Sequence, residues 1–248
     1  MKIGIIGTGH IGKTLVLRLS AAGHEVKVAN SRGPETISED ILCNGARAVT
    51  TKDAVKDVDA IILSTPFSAV RDLAPLFADV DNETVVIDTS NYYPKRDGTI
   101  DAVEAGQSES EWVAEQLGRP IVKAWNAIGS ASFAEKSQPA GHPERIAIPV
   151  AANDDRERDI GMAIVEDTGL DAVYSGTLEQ SWQQQPGSPV YCTDLSRDEI
   201  AAALASAERK RLPKRRDLAI EAIAERVGDN STNPDADYVK RLTRVLFM

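Results

Sequence analysis

The chain opens with a short apolar run, "KIGIIG" at residues 2–7, that ends in glycine and reads as a buried strand. Residues 10–23, "HIGKTLVLRLSAAG", carry Ile11, Leu15, Leu17 and Leu19, and predict a helix stopped by Gly23. "HEVKVAN" at 24–30 alternates and is rich in valine, which predicts a second strand. Further strands are predicted at 59–65, 84–90, 121–127, 145–152 and 171–176, several of them nearly continuous apolar runs. Helical stretches fall between them at 34–45, 51–57, 67–77, 109–118 and 154–169, the last with an acidic first turn that suits the helix dipole. Strands alternating with helices at this spacing predict right-handed crossovers and an α/β fold of Rossmann type. Its sheet is doubly wound, mostly parallel and covered on both faces.

From residue 177 the pattern changes. "TLEQSWQQQPGSPVYCTDL" is polar, with turn residues and scattered aromatics, and three helical stretches follow at 196–211, 214–228 and 235–248. Ser196 and Asp235 are the expected N-caps of the first and third. The expected division is a dinucleotide-binding domain over 1–176 and a smaller helical region over 177–248, for the acceptor or for dimerisation.

The first turn carries specific chemistry. "GTGHIG" supplies Gly7 for the strand-to-helix turn, Gly9 for close approach to a pyrophosphate and Gly12 for helix–strand packing. Thr8 adds a hydroxyl, and His10 and Ile11 open the helix whose backbone N–H groups face the negative charge. A ribose-binding carboxylate is expected about 20 residues on. Residues 27 to 32 hold none, and the second strand ends instead in Asn30, Ser31 and Arg32. A carboxylate would repel a 2′-phosphate, whereas a hydroxyl and a guanidinium would bind it. The triplet predicts NADP(H) over NAD(H).

Composition narrows the setting. The 248 residues are 42% apolar, enough for a full core, and 28 basic against 38 acidic residues give a net charge of −10, which disfavours nucleic acid and anionic membrane. Cys43 and Cys192 form neither a disulfide framework nor a zinc pattern, so a reduced, cytoplasmic setting without a metal site is expected. Glycines 4, 7, 9 and 12 with His10 interrupt any signal-peptide core, and no run approaches the length of a membrane helix.

With these motifs in place, the sequence resembles the NADP oxidoreductases related to the NADPH:coenzyme F420 (deazaflavin) oxidoreductase. The likeness rests on residues 2–33, on "DAIILSTPFSAV", on "TVVIDTSN" and on "IVKAWNAIGSASFA", in family order, over about residues 1 to 175. It implies NADPH use with Ser31 and Arg32 on the 2′-phosphate, and hydride transfer to a flavin-like acceptor. It further implies that Ser64, Thr65, Pro66 and Phe67 close over the cofactor path. Asn91, Asn126 and Ala127 fall at strand ends, where ligands of parallel sheets lie. Asn126 is the expected contact to the nicotinamide carboxamide or the acceptor; the alternative is a cap on the following turn.

The acceptor itself is less legible. A flavin-like acceptor, deazaflavin F420 or flavin, heads the expectations. The rivals are a small carbonyl, hydroxy acid or imine, with Tyr92, Tyr93 or Tyr191 as proton donor, and a non-catalytic NADP(H) sensor. His24 reads as structural, His142 as a loop residue and Cys192 as inert. Trp182, Gln183, Gln184, Gln185 and Tyr191 form a loop that lines an acceptor pocket or links to a subunit contact. The basic run Arg209, Lys210, Arg211, Lys214, Arg215 and Arg216 reads as helix-end charge compensation and surface solvation, with a subunit contact or an acidic tail on the acceptor as the sharper alternative. The apolar end "VLFM" points to a homodimer.

Overall fold

A computed structural model describes residues 1–228 and 232–248. Eight strands form one sheet: β1 (Lys2–Ile6), β2 (Glu25–Ala29), β3 (Arg47–Ala48), β4 (Ala60–Leu63), β5 (Val85–Asp88), β6 (Val122–Lys123), β7 (Ala147–Ala152) and β8 (Asp171–Gly176). Their order is β3-β2-β1-β4-β5-β6-β7-β8. All pairings are parallel except β6–β7, so β7 and β8 run against the rest. The order reverses between β1 and β4, which leaves a crevice at their carboxyl ends.

The helices are α1 (His10–Ala21), α2 (Glu39–Leu42), α3 (Thr51–Ala54), α4 (Val70–Leu73), α5 (Pro94–Asp97) and α6 (Asp101–Glu104). They continue with α7 (Glu109–Leu117), α8 (Ser130–Lys136), α9 (Asp155–Asp167), α10 (Arg197–Ala205), α11 (Leu212–Val227) and α12 (Ala236–Phe247). Alternation along the strands separates two cores. Ile3 and Ile5 of β1, Ala60 and Ile62 of β4 and Val85 and Ile87 of β5 meet Leu15, Val16 and Leu19 of α1 and Ile164 and Val165 of α9. Ile6, Ile61, Leu63 and Val86 face the other way, onto Val70 of α4 and Trp112, Val113 and Leu117 of α7. α10 continues this second layer over β7 and β8 through Ile200, Ala203 and Leu204.

Local chemistry explains where the expected helices hold and where they break. α7 and α10 begin with capping boxes, Ser108 with Glu111 and Ser196 with Glu199, and Asp235 caps α12 by accepting from the Tyr238 N–H. The helix expected over 67–77 is broken into 3-10 turns around the short α4, because Pro75 has no N–H to continue it. The strand expected over 121–127 stops at Lys123, and Trp125 takes a left-handed conformation at φ 55°. Its ring is buried, and its indole N–H donates to Thr168 Oγ1 at 3.2 Å. No helix among the described residues is long and apolar enough to cross a membrane.

Candidate active site

The carboxyl ends of β1, β2, β4 and β5 open onto a groove of about 700 Å³. Gly7, Thr8, Gly9, His10, Ile11, Asn30, Ser31, Arg32, Ser64, Thr65, Pro66 and Asn91 line it. The three glycines of the first turn have different reasons. A Cβ on Gly7, at φ +115°, would stand 2.0 Å from the Ser64 carbonyl oxygen, and one on Gly12 would stand 2.1 Å from that of Gly7. A Cβ on Gly9 would meet nothing within 4 Å of the protein, so the fold itself places no demand there. Gly9 also caps α1 without any side-chain hydrogen bond, which leaves the first N–H groups of the helix to an anion. The Thr65 hydroxyl on the opposite wall is buried and has no partner among the described residues. An open glycine, uncapped amides and an orphan hydroxyl around one groove fit a dinucleotide.

The polar triplet divides its labour. Asn30 is buried, and its Oδ1 accepts from the N–H groups of Arg32 at 2.9 Å and Gly33 at 3.0 Å, while its Nδ2 donates to Thr36 Oγ1. Asn30 therefore shapes the turn and spends its side chain doing so. Ser31 and Arg32 stay exposed at the groove, and their side chains have no partner among the described residues.

At its inner end the groove shares Ile11, Thr89, Asn91, Tyr93 and Ser130 with a second, more enclosed pocket of about 230 Å³. α11 and α12 close this inner pocket with Ala219, Ile223 and Phe247. A chain of hydrogen bonds sets its polar wall. Asn91 Nδ2 donates to the Asn126 carbonyl at 2.9 Å and to Tyr191 Oη at 3.2 Å, and the hydroxyls of Tyr93 and Tyr191 are 2.5 Å apart. The Asn126 carbonyl can only accept, so it fixes the amide of Asn91 with its N–H toward Tyr191. If Tyr93 donates to Tyr191 as well, the proton of Tyr191 is left to point into the pocket. Burial pushes both phenols well above their ordinary pKa, so both are held protonated. Arg96 lies 5.0 Å from the Tyr93 ring centre and donates to the Asn91 carbonyl.

Two non-glycine residues in left-handed backbone flank this wall, Trp125 at φ 55° beside Asn126 and Cys192 at φ 56° beside Tyr191. The Cys192 N–H donates to the Ala127 carbonyl at 2.8 Å, which ties the two segments together. Strained backbone held by its surroundings clusters at functional sites.

Three sequence expectations are corrected here. Phe67 does not face the groove: the turn after β4 rotates it into the second core, stacked on Trp112 at 4.7 Å. Ala127 is buried, and its backbone holds Cys192 rather than the groove. Gly12 lies outside the groove lining and serves the close packing of α1 that its place in the motif predicts. Asn126 is buried, with its Nδ2 donating to Asn91 Oδ1 and the Gln184 carbonyl and its Oδ1 accepting from Gln184 Nε2. With both amide hydrogens used inside the protein, it stands in the wall of the inner pocket and not in the cofactor groove, and it positions Asn91.

Other readings resolve similarly. Tyr92 is buried with its hydroxyl on Glu104 and the Ile100 N–H, so of the three tyrosines only Tyr93 and Tyr191 reach the pocket. In the polar loop, Gln184 is fully buried behind Asn126 and Trp182 lies under Arg209. The basic run stands at the start of α11, the positive end of its dipole, so dipole compensation does not account for it. His24 bonds Asp167 at 3.0 Å, and His142 bonds the Glu144 N–H; neither lines the groove or the inner pocket.

The site has a buried polar floor that the sequence reading missed. Asp88 and Lys123 are register partners on the second face, both buried, with Lys123 Nζ 2.6 Å from Asp88 Oδ2. Lys123 also donates to the Ser90 carbonyl, while Asp88 accepts from the N–H and hydroxyl of Ser90. The ion pair thus pins the exit of β5 that carries Asn91. Glu109 of α7 accepts from the Tyr92 N–H at 3.1 Å, and burial pushes its carboxyl up to about 7, against the pull of Lys123. The available signal was a single charge inside an apolar run, in "VVIDTS" and in "IVKAWN".

A dinucleotide groove opening onto a small pocket with paired hydroxyls defines a nicotinamide-dependent oxidoreductase. The chain belongs to the family of NADP oxidoreductases described as coenzyme F420-dependent, whose family model matches residues 2–92. The protein YjhV of Escherichia coli K12 is 34% identical over 101 residues, which span 39% of this chain and 70% of YjhV. The crystal structure of hypothetical protein SMa0349 from Sinorhizobium meliloti superposes with a TM-score of 0.70 at 28% identity, covering 80% of this chain and 96% of that one. A protein of Arthrobacter sp. FB24 suggested to be an F420-dependent NADP-reductase superposes at 0.58 with 17% identity, over 95% and 98% of the two chains, and shares the fold.

Proposed function

We propose that this chain uses NADPH to reduce a small carbonyl or imine compound held in the inner pocket. The observation that carries the reading is the Tyr93–Tyr191–Asn91 hydroxyl and amide chain at the junction of groove and pocket. A pocket of about 230 Å³ lies below the 300–1,000 Å³ usual for drug-sized ligands, which favours a small acceptor. The family match stops at residue 92, so it takes in Ile11, Thr89 and Asn91 of this pocket and leaves Tyr93, Tyr191 and the C-terminal helices outside.

Gly7, Thr8, Gly9 and the first turn of α1 would hold the pyrophosphate, and Ser31 and Arg32 the 2′-phosphate. NADPH when bound supplies a hydride to the carbonyl carbon and leaves as NADP⁺, while the C=O electron pair moves to oxygen, which takes a proton. Tyr191 is placed to give that proton. The Asn91 N–H and the Tyr93 hydroxyl then stabilise its phenolate, and solvent water reaching Tyr93 through the open groove returns the proton.

A flavin-like acceptor, deazaflavin F420 or flavin, is the second reading. The family description favours it, and the outer groove beside Arg96 is open to a planar ring. NADPH oxidation measured against oxo acids, ketones, imines, flavins and F420 tests the choice. Turnover confined to the flavin-like compounds would overturn the first reading. For the cofactor, Arg32→Ala is expected to lower the ratio of kcat/KM for NADPH over NADH by roughly ten- to hundredfold, the size of a charge-assisted hydrogen bond. An unchanged ratio would remove Arg32 from the selection.

A further inference from the structure

Arg216 is the charged side chain of the inner pocket that the reaction above leaves unused. It projects from α11 with its side chain only 9% exposed. Its Nε donates to Asp217 Oδ1 at 2.8 Å, and its guanidinium lies 5.7 Å from the centre of the Tyr92 ring. Neither contact uses the two terminal nitrogens, which make no hydrogen bond among the described residues. A guanidinium this buried with an open fork is a costly arrangement unless something accepts from it.

The charges around it point to an anion. In the buried floor Asp88 is matched by Lys123 at 2.6 Å. Glu109 faces Arg216 from α7 but is held toward its neutral form by burial. Asp217, the one carboxylate bonded to Arg216, is 46% exposed and is screened by water. The pocket lining thus carries one cation and no carboxylate, set among neutral polar groups and apolar ones such as Trp125, Ala219, Ile223 and Phe247. The Tyr191 hydroxyl and Asn91 amide line the same pocket.

We propose that Arg216 is the anion-binding residue of the inner pocket, and that the acceptor is a short oxo acid or imino acid whose carboxylate seats on its free fork. This rests on the reduction of a small carbonyl or imine proposed above. The planar fork of arginine matches a carboxylate through two parallel hydrogen bonds, which a lysine cannot reproduce.

Two measurements separate the assignment from the reaction. In the first, the protein saturated with NADP⁺ is titrated calorimetrically with malonate and with malonamide. Malonate is expected to bind at least about tenfold more tightly than the amide. Arg216→Gln should weaken malonate by roughly ten- to hundredfold with NADP⁺ affinity unchanged. Arg216→Lys, which keeps the charge, should fall between and guards against a variant that misfolds. Equal malonate affinity in parent and Arg216→Gln would overturn the proposal. In the second, pyruvate and pyruvamide are compared as acceptors. The parent should prefer the acid, and Arg216→Gln should lose that preference. Reduction of the amide as readily as the acid would overturn the proposal while leaving carbonyl reduction standing. Malonate binding that depends on Arg216, with no carbonyl reduced, would overturn the reaction and leave the anion site standing.

Discussion

Replacement of Tyr191 by phenylalanine is expected to lower kcat for a carbonyl acceptor by about 10²- to 10⁴-fold, the usual worth of a positioned general acid. The ring and its packing remain, so NADPH affinity should not change. Tyr93→Phe should cost less, because it removes support for the Tyr191 phenolate and not the donated proton. The pH profile offers a second reading. Burial holds both phenols protonated well past neutrality, so the parent's kcat should show no loss on the alkaline side up to the range of free tyrosine. Steady-state kinetics with saturating NADPH decides the matter. An undiminished kcat in Tyr191→Phe would transfer the proton to another group and strengthen the flavin-like reading, in which alignment matters more than an acid.

The second large effect lies beneath the site. Lys123→Met removes the partner of a buried carboxylate, and is expected to destabilise the fold by about 3–5 kcal/mol. For a chain of this length that corresponds to a fall in Tm on the order of 10 °C. The double variant Asp88→Leu with Lys123→Met should recover much of the loss, because neither charge is then stranded in the core. The urea midpoint at constant m-value measures both. A single variant no less stable than the double would show that the two charges do not depend on each other. Asp88 also holds the N–H and hydroxyl of Ser90, so Asp88→Leu alone should disturb Asn91 and lower activity beyond its effect on stability.

Much of the cofactor half was legible because its chemistry is local. Gly7, Gly9 and Gly12 sit within one turn, and their spacing alone states what each must do. Ser31 and Arg32 follow from counting along one strand. Phe67 was misread because adjacency to Pro66 says nothing about which face a 3-10 turn presents. The inner pocket was only partly legible because its contacts span the chain. Tyr93 meets Tyr191 98 residues away, and Asp88 meets Lys123 at a separation of 35. Such pairs depend on strand register and on how the C-terminal helices fold back, and no local pattern encodes either. β3 and β6, at two residues each, are too short to show a period. Arg216 was hidden by its neighbours, since a basic run reads as solvated until packing singles out the member that is buried.

The strand β6 stands where the sheet changes direction, parallel to β5 on one side and antiparallel to β7 on the other. Its ladder to β5 is only two residues long, Ile87 with Val122 and Asp88 with Lys123. So short a ladder distinguishes weakly between neighbouring alignments. A slip of one residue would turn Lys123 toward the apolar layer that Val122 and Ala124 fill, and would strand Asp88 on the other side. The buried pair is therefore an alignment key. It lets the two halves of the chain join in one way only, and it places Asn91 and Tyr191 across from each other as a by-product of correct assembly.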